Sequence, residues 1–80
     1  QVTMDGWDLY LKYLLMTRKK VREVIVDNEI LFSLAMMGRN EDIEDFLKGP
    51  DMSQLQLVGD KCFKQKLWES SKIFYRSISN

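Results

Sequence analysis

The chain repeats one arrangement twice. From Leu31 to Phe46, and again from Gly59 to Phe74, an apolar helical stretch leads into a short turn and an aromatic six residues beyond it, with Phe46 and Phe74 in corresponding places. Echoes spaced by about 20–50 residues mark helical-repeat arrays, in which each unit buries its apolar face only by stacking on the next. The expected fold is therefore all-α, an α-solenoid of stacked antiparallel helical hairpins.

Apolar spacing and punctuation predict about five helices. Asp5 opens the first as a cap, and it runs to about Lys20. Trp7, Tyr10, Leu11 and Leu14 fall on one side and Leu9, Tyr13 and Met16 on another, so this helix expects partners on both. The β-branched run Val24-Ile25-Val26 weakens helix propensity and is expected to contain the bend. Asp27 or Asn28 then caps a second helix, apolar almost all round, which Gly38 closes in the left-handed conformation. Asn40 caps a third, where Ile43, Phe46 and Leu47 form one stripe and Glu41, Asp42, Glu44 and Asp45 suit the helix dipole. Gly49-Pro50 ends it, with Gly49 expected to be left-handed. Asp51 and Gln54 read as a capping-box variant for a fourth helix with the buried row Leu55, Val58, Gly59, Cys62 and Phe63. After a turn near Gln65-Lys66, a fifth helix carries Leu67, Ser71, Phe74, Tyr75 and Ile78 along one side.

A chain of 80 residues buries a small share of its unfolded surface, so its core leans on neighbours. Twelve basic and twelve acidic residues cancel, leaving no global field toward nucleic acid or an anionic membrane. The longest charge-free apolar stretch, Ile30 to Gly38, is far too short to span a bilayer, and Gln1 to Asp5 carries no signal-peptide pattern. Lacking an initiator methionine, residues 1–80 read as a single helical-repeat segment, a fragment of a longer solenoid.

Chemistry finds little to use. With no histidine, Ser-His-Asp and Cys-His arrangements cannot form within the chain, so no catalytic residue is assigned. The lone Cys62 cannot form an internal disulfide, has no second thiol for a metal site, and fits a reducing, cytosolic setting. The acidic group on the third helix spreads around its first turns instead of converging, so no metal and no cofactor are assigned. Gly59, Cys62, Phe63, Trp68, Ser71, Phe74 and Tyr75 resemble the small/large packing pattern of a tetratricopeptide-type hairpin, with Gly59 expected against Ser71 and with Lys66 where the turn glycine would stand. A peptide-binding groove is the alternative use of such an array. Arg18, Lys19, Lys20 and Arg22 form the one basic cluster, read as a solvated helix end or a contact for an acidic partner. Without a stacking platform, it is a poor nucleic-acid site.

The stretches Lys12-Tyr13-Leu14, Arg18-Lys19-Lys20, Glu29-Ile30-Leu31-Phe32, Leu34-Ala35, Gly49-Pro50, Val58-Gly59-Asp60, Cys62-Phe63 and Ser79-Asn80 run collinear with one known family. From Trp7 to Asn80 the sequence resembles the leg segment of the clathrin heavy-chain repeat family. The resemblance implies a structural part in the polyhedral coat of budding vesicles, as a piece of leg near the knee. It implies partners that are other heavy-chain legs, with the full chain a trimer and the light-chain site further along, a partial contribution here being left open. It further implies no nucleic acid, contact with membrane only through adaptors, and a place on the cytoplasmic face of coated pits and coated vesicles. Substitutions of similar type depart from the family pattern, among them Phe63 and Trp68 in place of tyrosine. A tetratricopeptide-like peptide-binding adaptor is the alternative function.

Overall fold

A computed structural model describes residues 4–79. They form five α-helices and, among the described residues, no strand: α1 (Met4–Lys20), α2 (Val24–Met36), α3 (Asn40–Lys48), α4 (Leu55–Lys64) and α5 (Trp68–Ser79). α2 packs against α1, α3 and α4, while α5 packs against α3 and α4. The molecule measures 29 × 28 × 19 Å, and its least dimension is two helix diameters of about 10 Å. It is thus a two-layer stack, with the hairpin α2–α3 followed by the hairpin α4–α5.

The two hairpin turns are copies of one another. At Gly38, with φ +70°, the amides of Gly38 and Arg39 bond the carbonyls of Ala35 and Leu34 at 3.0 and 2.9 Å. Lys66, 28 residues on, has φ +63°, and the amides of Lys66 and Leu67 bond Phe63 and Cys62 at 3.0 and 2.9 Å. Both are Schellman-type ends, which satisfy the last helical carbonyls and reverse the chain. Short turns of this kind make the joined helices antiparallel neighbours.

The core follows the apolar pattern. Leu11 and Leu14 of α1 meet Ile30, Leu31, Phe32, Leu34 and Ala35 of α2, and Ile43, Val58, Cys62, Ile73 and Phe74 complete it. Leu9, Tyr13 and Met16 form the second apolar face of α1 and are exposed. Phe46 and Leu47 pack at the edge of the core, partly buried.

Several local expectations are corrected. Asp5 lies in the first turn of α1 and not at its cap. The bend is residues 21–23, and Val24-Ile25-Val26 open α2: β-branched residues cost a helix only a few tenths of a kcal/mol, which burying Val26 outweighs. Asp27 and Asn28 are consequently inside α2, whose N-cap Glu23 makes no side-chain cap bond. Asn40 is the first residue of α3, and its Oδ1 accepts a bond from Ser70 Oγ at 2.7 Å across to α5. Gly49 is extended, with φ −94° and ψ 177°, because Pro50 disfavours helical geometry in the residue before it. Asp51 makes no capping box; it accepts bonds from the amide and hydroxyl of Ser53. Leu67 precedes α5, and Ile78 near its end is exposed.

Candidate functional site

Two places in the stack gather polar chemistry: the seam of the last hairpin and the junction of α1, α2 and the connection 49–54. At the seam, Gly59 lies against α5. A Cβ there would come within 2.8 Å of Tyr75 Cε1 and 3.3 Å of Phe74 Cβ, so the glycine's helix cost admits a ring into the space. The partner is Tyr75 with Phe74, not Ser71, whose hydroxyl donates to the Trp68 carbonyl at 2.9 Å. Tyr75 Oη then donates to Asp60 Oδ1 at 2.6 Å, beside the glycine. That bond, with one from Gln56, holds the Asp60 carboxyl below its usual range, and bonding to Asp60 pushes the Tyr75 phenol up. Cys62 is buried, and burial raises its thiol to about 11. It is consequently a packing group with little thiolate at neutral pH.

Phe63 and Trp68, expected in this buried row, are 54% and 51% exposed. They meet edge to face at the tip of the hairpin, 5.0 Å between ring centroids. Helical spacing places Phe63 beside Gly59 but does not say whether a further element covers that flank.

The junction was not visible as a unit in the sequence, since Asp27 and Asn28 read there as caps. Asp27 is 1% exposed, and its carboxylate is shared: Arg18 Nε donates to Oδ1 at 2.8 Å and the Met52 amide to Oδ2 at 2.7 Å. Arg18 Nη2 donates to the Pro50 carbonyl at 2.7 Å, and its guanidinium lies over the Phe46 ring at 4.6 Å. Asn28 accepts the Gln54 amide at 2.7 Å and donates back to the Gln54 side chain at 3.0 Å. A buried carboxylate persists only when paired and hydrogen-bonded, and here the pairing also satisfies the backbone of a connection that has no ladder of its own. The four-residue basic cluster therefore splits. Arg18 is structural, while Lys19, Lys20 and Arg22 are exposed and make no ion pair among the described residues.

Beside the junction, α2 and α4 leave a groove of about 490 Å³ between Val24, Ile25, Leu57 and Val58, with Glu29 and Lys61 along it. Glu29 accepts from Lys61 at 3.2 Å and from Tyr10 Oη at 2.8 Å, and burial together with that bond raises the Tyr10 phenol. Among the described residues no group of His, Cys, Asp and Glu could hold a metal, and no helix is long and apolar enough to cross a membrane.

Stacked hairpins with equivalent turns and no assembled catalytic group define a helical-repeat scaffold. The family described as a region in clathrin and VPS matches residues 3–80. The chain is 38% identical over 76 residues to clathrin heavy chain 2 of Homo sapiens, covering 95% of this chain and 5% of that protein. It is 46% identical over 74 residues to clathrin heavy chain 2 of Oryza sativa subsp. japonica, covering 92% and 4%. To the clathrin heavy chain of Dictyostelium discoideum it is 37% identical over 76 residues, covering 95% and 4%. The chain belongs to the clathrin heavy-chain repeat family and spans only 4–5% of the length of these relatives.

Proposed function

We propose that this chain is a structural segment of a clathrin heavy-chain leg, one stretch of a longer solenoid that packs with other legs in the lattice of coated pits and vesicles. Its work is mechanical, in vesicle-mediated transport and endocytosis on the cytoplasmic side of the membrane, with adaptors as the link to lipid. The whole heavy chain acts as a trimer, and light-chain contact falls mainly on neighbouring segments.

The observation that carries this reading is the correspondence between the two hairpins. Shifted by 28 residues, Phe63 and Trp68 occupy the places of Ala35 and Asn40. Ala35 is buried, and Asn40 reaches the next hairpin through Ser70. The same two places on the last hairpin carry exposed aromatics, which suits a following hairpin stacked on them as α4–α5 stacks on α2–α3. Leu9, Tyr13 and Met16 offer the matching face for a preceding one.

Contacts between legs would then draw on the outer charges. Exposed pairs are worth about 0–1 kcal/mol each, which suits a coat that must come apart. The test reverses Lys19, Lys20 and Arg22 to glutamate in the full-length heavy chain and follows assembly by light scattering against ionic strength. Altered assembly or salt dependence with unchanged circular dichroism is expected. Unchanged assembly would remove the cluster from the lattice contacts.

A further inference from the structure

Stacking accounts for the exposed apolar residues at the two ends of the segment but not for those along its side. Ile25 of α2 is 65% exposed and Leu57 of α4 56% exposed, and they line the same groove. α2 and α4 are the first helices of successive hairpins, so a further hairpin lengthens the face they form and does not cover it. At about 490 Å³ the groove lies within the range of built ligand pockets, roughly 300–1,000 Å³.

We propose that this groove docks an acidic peptide segment anchored by an apolar side chain. The walls select the anchor: Ile25, Leu57 and Val58 with half-buried Val24 offer aliphatic surface. Glu29 and Lys61 neutralise each other at 3.2 Å, so the groove itself favours neither sign of charge. The sign is set outside it. Arg22 precedes Val24 by two residues, which keeps it within about 7 Å along the backbone. With Lys19 and Lys20 it gives three cations that make no ion pair among the described residues, and Glu23 removes one charge, leaving an excess of two. A basic segment would meet this excess as repulsion. An acidic one gains encounter rate and orientation from it, while the buried anchor supplies most of the affinity.

The junction keeps the groove open and shaped. Asn28 holds both the amide and the side chain of Gln54, and Asp27 holds Met52, so the start of α4 is fixed relative to α2 before anything binds. A preformed groove spares the partner the ordering cost that a mobile one would impose.

The test uses unassembled full-length protein, so its outcome is separate from that of the assembly experiment. Fluorescence anisotropy is measured with three fluorescein-labelled peptides: a glutamate-rich one with a central Leu-Leu pair, the same peptide with serines in place of the leucines, and a lysine-rich analogue that keeps the leucines. The acidic leucine peptide is expected to bind at least about tenfold more tightly than either control, as one buried aliphatic anchor allows. Leu57→Ser should weaken it about tenfold, and replacing Lys19, Lys20 and Arg22 by alanine should weaken it and flatten its salt dependence, both with unchanged circular dichroism. Equal binding of the three peptides, no binding, or indifference to Leu57→Ser overturns the proposal. Sedimentation of the same variants covers the other occupant: self-association lost in Leu57→Ser would assign the groove to a second copy of the chain and overturn it too.

Discussion

Lys66 holds the same left-handed backbone conformation as Gly38, 28 residues earlier in the chain. A residue with a Cβ is strained there by about 1–2 kcal/mol, and glycine is not. Part of the relief is offset by glycine's greater freedom in the unfolded chain. Lys66→Gly should therefore stabilise by about 0.5–1 kcal/mol and raise Tm by a few degrees, whereas Gly38→Ala should destabilise by about 1 kcal/mol. Thermal melts of the two variants decide, and a lowered Tm in Lys66→Gly would contradict the turn assignment.

Gly59→Ala sets two effects against each other. Helix propensity favours alanine by about 1 kcal/mol, but its methyl would sit 2.8 Å from the Tyr75 ring and 3.3 Å from Phe74 Cβ. Overpacking of this kind costs about 1–3 kcal/mol, and Phe74 is fully buried, so a net loss of about 1 kcal/mol is expected. The displaced ring should release Asp60, bringing the Tyr75 phenol back toward its ordinary range in an ultraviolet titration. Trp68→Ala, by contrast, removes a half-exposed ring and should cost less than the 3–5 kcal/mol typical of a buried one.

The junction makes a prediction about coupling. Asp27→Ala leaves Arg18 and the Met52 amide without their acceptor, and Arg18→Ala leaves a buried carboxylate without its cation. Each should cost about 3 kcal/mol. The double variant should cost clearly less than the two combined, because the second change removes a group already orphaned. Denaturant melts give the cycle. Strict additivity would mean that the pair is not acting as a unit.

Cys62 gives the pH dependence. Burial raises its thiol from 9.0 to about 11, so the folded state holds that proton more tightly than the unfolded one. The associated stability is fully present below pH 9 and is lost as pH rises through about 11, with the raised Tyr10 and Tyr75 phenols acting in the same direction. Urea melts across this window should show stability falling. At neutral pH an aromatic disulfide reagent should label Cys62 only on unfolding; labelling of the folded chain at the unfolded rate would contradict its burial.

Much of this architecture is legible in the sequence because it depends on periodicity. The apolar rows of α1 and α2, the stop at Gly38, and Gly59 as a point of close approach follow from spacing and from the cost of glycine in a helix. The junction does not. Asp27 and Asn28 are residue types that favour helix ends, and only the fold shows that they lie inside α2 and serve the connection 49–54 instead. Lys66 is a related case: its place matched that of a turn glycine, but the strained φ follows only from the backbone. Phe63 and Trp68 looked buried by type and spacing, yet burial depends on what lies beyond the last hairpin, which no local pattern encodes.

The central claim is that this segment is an interior stretch of a stack, and side-chain accessibility in the full-length heavy chain tests it most directly. Hydroxyl-radical footprinting of the unassembled protein, read by mass spectrometry and normalised to intrinsic reactivity, reports on Tyr13 and Met16 at one end and on Phe63 and Trp68 at the other. All four are exposed here, whereas Phe74 is buried and Met52 is exposed on a connection away from both stacking faces. The account predicts that the four are protected nearly to the level of Phe74 while Met52 stays reactive. Reactivity of Tyr13 and Trp68 equal to that of Met52 would contradict it.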